Sequence, residues 1–102
     1  VQNYRVRFTV EAQQDLQRLH AFLLGHNLSL AERAIEVIQD ALTLLEKFPF
    51  SCRKAAEGRH GPRLRELIIP FGSSGYVLLF EIDDATTVTV MAVRHQRESD
   101  YH

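Results

Sequence analysis

The residues best suited to chemistry in this sequence lie close to its end. Arg94-His95-Gln96-Arg97 sets two guanidinium groups around an imidazole, and Tyr101 follows closely. Arg63 and Arg65 make an earlier basic pair, with Glu66 next to it. A guanidinium is a planar fork of donors that matches the oxygens of phosphate or carboxylate, and an imidazole titrates near neutral pH. The set can therefore bind an anionic or carboxylate-rich partner. It can also support cleavage of RNA. In that chemistry Glu66 or His95 takes the 2′-hydroxyl proton, an Arg stabilises the phosphorane, and an acid protonates the leaving oxygen. A purely structural use is equally open: Arg94 pairs with Glu66 or Glu81 across a sheet, and Tyr101 covers an apolar edge.

Other reactive side chains carry less. Cys52 stands beside Arg53 and Lys54, cations that lower a thiol pKa, but no signature of a cysteine enzyme surrounds it. Ser73 and Ser74 read as turn residues, and His20 and His26 are expected to face solvent. No glycine-rich phosphate loop and no His or Cys pair at metal-ligand spacing occurs, so neither a cofactor nor a metal is expected.

Composition narrows the functions further. The 102 residues hold 12 Lys and Arg against 13 Asp and Glu, for a formal net charge of −1. A protein that grips nucleic acid through phosphates usually carries a clear positive excess, which disfavours a generic nucleic-acid binder. The charges are nevertheless segregated. Residues 11–46 hold six carboxylates against Arg18 and Arg33, whereas residues 53–65 hold Arg53, Lys54, Arg59, Arg63 and Arg65 against Glu57. The hydrophobic share of 45% is enough for one core, and the length suits a single domain over 1–102. Apolar runs such as Leu67–Ile69 and Tyr76–Phe80 are far short of the ~20 residues of a membrane span. No signal peptide is expected of the polar opening Val1-Gln2-Asn3-Tyr4. With one Cys, no internal disulfide can form.

The elements that must position these groups follow from periodicity. Tyr4-Arg5-Val6-Arg7-Phe8 alternates as a half-buried strand with Tyr4, Val6 and Phe8 inward. Thr9 can cap a helix whose stripe is Ala12, Leu16, Leu19 and Leu23, with Glu11 and Asp15 near its positive end. Gly25 is expected to end it in a left-handed conformation. Ser29-Leu30-Ala31-Glu32 has the capping-box pattern. The helix after it buries Leu30, Ala34, Val37, Ile38, Ala41, Leu42, Leu45 and Phe48 and stops at Pro49. The short link makes the two helices a hairpin.

Phe50 to Pro62 reads as a loop with one helical turn at Lys54–Glu57. Leu64–Phe71, Tyr76–Asp83 and Thr87–Arg94 read as strands of an antiparallel meander, joined by turns at Gly72–Gly75 and Asp83–Thr86. Tyr76–Phe80 is apolar throughout, as in a central strand covered on both faces. Pro70 belongs at a bulge or beside no neighbour. The expected fold is α+β, strand–helix–helix–strand–strand–strand, with an antiparallel sheet packed against a helical hairpin.

With this order of elements the chain resembles the RelE/ParE superfamily of toxins from bacterial type II toxin–antitoxin modules. The resemblance covers nearly the whole chain and rests on three segments. They are Tyr4–Phe8 with the hairpin that closes on Leu45-Phe48-Pro49, Arg63-Leu64-Arg65-Glu66-Leu67 leading through Gly75-Tyr76-Val77 to Phe80, and Val90–Glu98 ending at Tyr101. Such a resemblance implies a cytoplasmic toxin silenced by a cognate antitoxin protein. It also implies one of two targets. ParE-like members inhibit DNA gyrase, and RelE-like members cut messenger RNA in the ribosome. In a nuclease, Arg65 would contact phosphate, Glu66 would be a base, His95 an acid and Tyr101 a stacking ring. Five residues separate Tyr101 from His95, wider than the compact nuclease pattern, and Lys54 stands alone where a Lys-rich stretch is usual. The long hairpin and the near-neutral charge favour the gyrase branch, in which Arg63, Arg65, Arg94, His95, Arg97 and Tyr101 are target contacts. A non-toxic relative kept as a binding module is the third reading.

Overall fold

The computed structural model describes residues 3–54, 64–72 and 74–95. Strand β1 (Arg5–Phe8) leads into helix α1 (Val10–Leu24) and helix α2 (Leu28–Lys47). A 3-10 turn (Pro49–Ser51) and the two-residue strand β2 (Arg53–Lys54) follow, and then the long strands β3 (Leu64–Phe71), β4 (Ser74–Ile82) and β5 (Thr87–His95). One sheet holds all five strands in the order β1-β5-β4-β3-β2. The expected meander β3-β4-β5 is antiparallel throughout. β1 joins it parallel to β5, which makes the sheet mixed. The long hairpin carries the chain across the face of the sheet, so β1 can enter beside β5 only after a crossover.

Both helices pack on one face of the sheet. Their buried residues Ala12, Leu19, Ala34, Ile38, Ala41 and Leu45 meet Tyr76, Leu78, Phe80, Val88, Val90 and Val93. A smaller cluster of Leu64, Val77 and Leu79 lies on the opposite face, against Ile68, Met91 and Ala92. β4 is thus buried on both sides, as its unbroken apolar run requires.

Local signals explain most boundaries. The Thr9 hydroxyl caps α1 by accepting from the Ala12 amide at 3.1 Å. Pro49 follows immediately on the last turn of α2. Pro70, which lacks an N–H, lies on the stretch of β3 that β2 does not reach, since β2 pairs only with Arg65 and Glu66.

Four expectations change. Asn27, and not Ser29, caps α2, with its side-chain oxygen accepting from Leu30 N at 3.2 Å. The helix therefore starts at Leu28, two residues earlier than the capping-box pattern implied. Gly25 does end α1, but at φ −67°, so its left-handed freedom is not used. The buried face of α2 begins at Ala31, while Leu30 and Phe48 are exposed. Lys54 lies in a strand and not in a helical turn, and residues 55–57 of that expected turn fall outside the described residues.

The β3–β4 turn is also tighter than expected. Phe71 pairs with Ser74, so Ser74 and Gly75 belong to the strand, and Gly72 takes the left-handed conformation at φ 64°. Ser73 lies outside the described residues. No helix among the described residues is long and apolar enough to cross a membrane.

Candidate functional site

The last strand outruns its neighbour. β1 pairs with β5 only as far as Val90, and β5 continues to His95. Helix α1 takes over the vacated edge. The Thr9 amide donates to Val90 O at 3.0 Å, and the Thr9 hydroxyl donates to Met91 O at 3.2 Å. Two turns further on, Asp15 Oδ2 accepts from the Val93 amide at 2.9 Å. The other carboxylate oxygen pairs with the Arg94 guanidinium and, at 3.6 Å, with Arg18. Asp15 is only 8% exposed, the one charged residue among the buried described residues. Its three partners offset the cost of that burial.

A bulge aims this corner. Phe80 pairs with Val90 and Leu79 with Ala92, so Met91 is an extra residue in β5. Val88 and Val90 face the core before the bulge, and Val93 faces it after. His95 then falls on the helix side, where its ring meets Tyr76 edge-on at 5.6 Å between centroids. Phe71 stands beside Tyr76 at 5.7 Å. These rings, with Phe22, Leu23 and Arg18, line a cavity of about 550 Å³ toward the turn end of the hairpin.

Arg65 occupies a different place. It pairs with Phe80 across β3 and β4, whereas His95 pairs with Tyr76. Four residues along the strand and two strand spacings separate them, on the order of 15 Å. Arg65 donates to Cys52 O at 2.7 Å, and its guanidinium stacks over Phe50 at 5.4 Å. The surrounding cleft of about 580 Å³ is lined by Tyr4, Phe50, Lys54, Asp83 and Asp84.

Glu66 points to the other face of the sheet. It is opposite Leu79, three residues along β4 from Tyr76. Arg53 Nε holds its carboxylate at 2.7 Å. Glu66 and His95 thus lie on opposite faces and do not form an acid–base pair. The structural use expected for Arg94 is realised, but with Asp15 of α1 and not with Glu66 or Glu81. Arg63, Arg97 and Tyr101 lie outside the described residues.

Two minor expectations are corrected. Cys52 is buried, and burial pushes its thiol pKa up, outweighing the lowering effects of the Ser51 hydrogen bond and Arg65. Its neighbours Arg53 and Lys54 are both exposed. His20 is half-buried and lines the groove between α1 and α2, whereas His26 is exposed, as expected, and rests on Phe22 at 4.6 Å. No group of three His, Cys, Asp or Glu able to hold a metal occurs among the described residues.

Asp15 is the residue that sequence reasoning undervalued. Its spacing from Ala12 and Leu19 places it in the apolar stripe of α1, and an acid inside such a stripe calls for a buried partner. Charge near the helix N-terminus gave it a simpler explanation.

A helical hairpin on one face of a mixed sheet is the fold of a small toxin of the RelE/ParE class, as the comparisons with known proteins bear out. The family model of the ParE toxin of the type II toxin–antitoxin system parDE matches residues 6–100. Toxin RelE3 of Caulobacter vibrioides is 33% identical over 88 residues, 85% of this chain and 88% of that protein. Toxin RelE1 of the same organism is 32% identical over 79 residues, 78% of this chain and 80% of that one. A chain from the chromosomal ParDE TA system of P. aeruginosa shares the fold, with a TM-score of 0.68 at 13% identity, covering 90% of this chain and 95% of its own. The chain belongs to the ParE toxin family of type II toxin–antitoxin systems. That membership implies a cognate antitoxin.

Proposed function

We propose that this toxin acts by occupying a protein target, DNA gyrase, and so blocks DNA replication in the cytoplasm until its antitoxin removes it. The observation that carries this reading is the separation of Glu66 from His95 on opposite faces of the sheet. Acid–base cleavage of a phosphodiester needs both groups within reach of one ribose. Arg65 is in addition tied to Cys52 O and Phe50, and Glu66 to Arg53. The net charge of −1 also suits a protein target better than ribosomal RNA.

Arg94 and His95, with Arg97 and Tyr101 following in the chain, are the proposed target contacts. Arg94 serves as a cation of fixed position, with 27% of its side chain accessible. Arg65, and Arg63 close to it in sequence, make a second contact further along the sheet.

A ribosome-dependent messenger RNA endonuclease is the second reading, favoured by the two relatives that carry the name RelE. One preparation decides between them. Loss of supercoiling by purified gyrase, with translated messages left intact, is the expected result. Cutting within codons, abolished in His95→Ala, would establish the nuclease instead. Unimpaired growth on induction of soluble protein would leave only a binding module.

A further inference from the structure

We propose that Asp15 is the positioning residue of the cationic corner. Its carboxylate takes the place of a neighbouring strand on the β1 side of β5 beyond Val90, where the described residues offer none, and so fixes where Arg94 and His95 present themselves. The inference rests on the reading above only in taking that corner as the target-contacting part; the clamp itself is independent of which target is bound.

An edge strand with no partner frays, because its amides exchange freely between water and any acceptor. Here no described strand pairs with the β1 side of β5 from Met91 onward, and beyond the Thr9 hydroxyl on Met91 O the Val93 amide donates to a carboxylate buried on α1. The same carboxylate holds the next residue's guanidinium, so one side chain fixes both the backbone and the first cation of the corner. A charged acceptor makes this bond stronger than an ordinary amide–carbonyl one. The Met91 bulge adds to the need for such a clamp. It breaks the β4–β5 ladder just before Val93, where the direction of the strand end is decided. Anchored this way, His95 lies against Tyr76 at the rim of the aromatic cavity. α1 thereby couples to the end of β5 through a polar contact and not through packing alone.

Two variants separate the parts of the clamp. Asp15→Asn keeps an oxygen acceptor for Val93 N but removes the charge that holds Arg94. Asp15→Ala removes both. In the intact protein, Val93 should be protected from hydrogen exchange although no described strand accepts from its amide. Asp15→Ala should lose that protection by about ten-fold or more, while amides paired between β3 and β4 keep theirs. Asp15→Asn should retain it. In both variants the His95 ring resonances should shift, and growth arrest on induction should weaken by about ten-fold or more, with the thermal transition of Asp15→Asn still cooperative. Two results would overturn the clamp: undiminished Val93 protection in Asp15→Ala, or unmoved His95 resonances; full growth arrest by folded Asp15→Asn would overturn the part of the proposal that makes the clamped corner the target contact. If the wild-type protein leaves gyrase unaffected while the exchange results hold, the target assignment fails and the clamp stands.

Discussion

Single side chains in this protein are explained by what each one is denied or offered by its neighbours. Cys52 is denied water, so its thiol is held protonated and shielded despite the cations beside it in sequence. It should react with a thiol reagent at least about ten-fold more slowly in the native protein than in denaturant; equal rates would show the site to be open. Gly75 has no room for a side chain, because a Cβ there would stand 2.2 Å from the Ile69 carbonyl oxygen. Gly75→Ala should cost about 1–3 kcal/mol by urea unfolding, through a forced backbone shift in the β3–β4 pair. Asp15 is offered three donors and becomes tolerable inside an apolar stripe. None of these three environments follows from nearest neighbours in the chain.

At the scale of elements, the two helices differ in how they begin, and the difference is measurable. Asn27→Ala should destabilise the protein by about 1 kcal/mol, whereas Ser29→Ala should stay within about 0.5 kcal/mol, because only Asn27 satisfies an orphan amide of α2. The reverse order in chemical denaturation would reinstate Ser29 as the cap. Thr9 does more than a cap usually does, since the same hydroxyl that accepts from Ala12 also donates to Met91 O of β5. The C-terminal end of α2 is tied down similarly, by the Tyr4 amide donating to Glu46 O at 2.6 Å. Both ends of the hairpin are thus pinned to the sheet by the segment around β1. Most of this scale was legible beforehand, because alternation, the apolar stripes, Thr9 and Pro49 are local signals. The Asn27 and Ser29 patterns compete on equal local terms, and the burial of Ala31 decides between them.

For the whole molecule, one core joins hairpin and sheet, and Phe80 sits at its centre with no exposure. Phe80→Ala should lower stability by about 3–5 kcal/mol, enough to leave a 102-residue domain barely folded. Burial also raises the pKa of Tyr76. A raised pKa means that the folded state holds its proton more tightly than the unfolded one. Both Cys52 and Tyr76 therefore contribute full stability below the unfolded-state values and lose it as the pH rises through the folded ones. The melting temperature should hold steady to about pH 9 and fall beyond it, and Cys52→Ala should remove the earlier part of that fall. A flat profile to pH 11 would contradict the burial of both groups. The acid side has a smaller counterpart in Asp84, held below its usual range by the Thr86 amide and hydroxyl; its contribution is present above the unfolded value and lost as the pH falls through the folded one.

The order of the main elements, apart from the short β2, the two-layer α+β class and the family were contained in the sequence, because periodicity, caps and turn residues act over a few neighbouring positions. The local cationic character of the tail was contained there too, as a matter of composition. The parallel entry of β1, the Met91 bulge and the faces occupied by Glu66 and His95 were not. Each depends on which strands lie side by side, and an extra residue in a strand leaves no mark in its hydrophobic pattern until the pairing is known. The partner of Arg94 belongs to the same group. Local reading offered the carboxylates of neighbouring strands, but the acid that holds it lies on a helix 78 residues away from the Val93 amide it also accepts from, and only the closed fold brings them within a hydrogen bond.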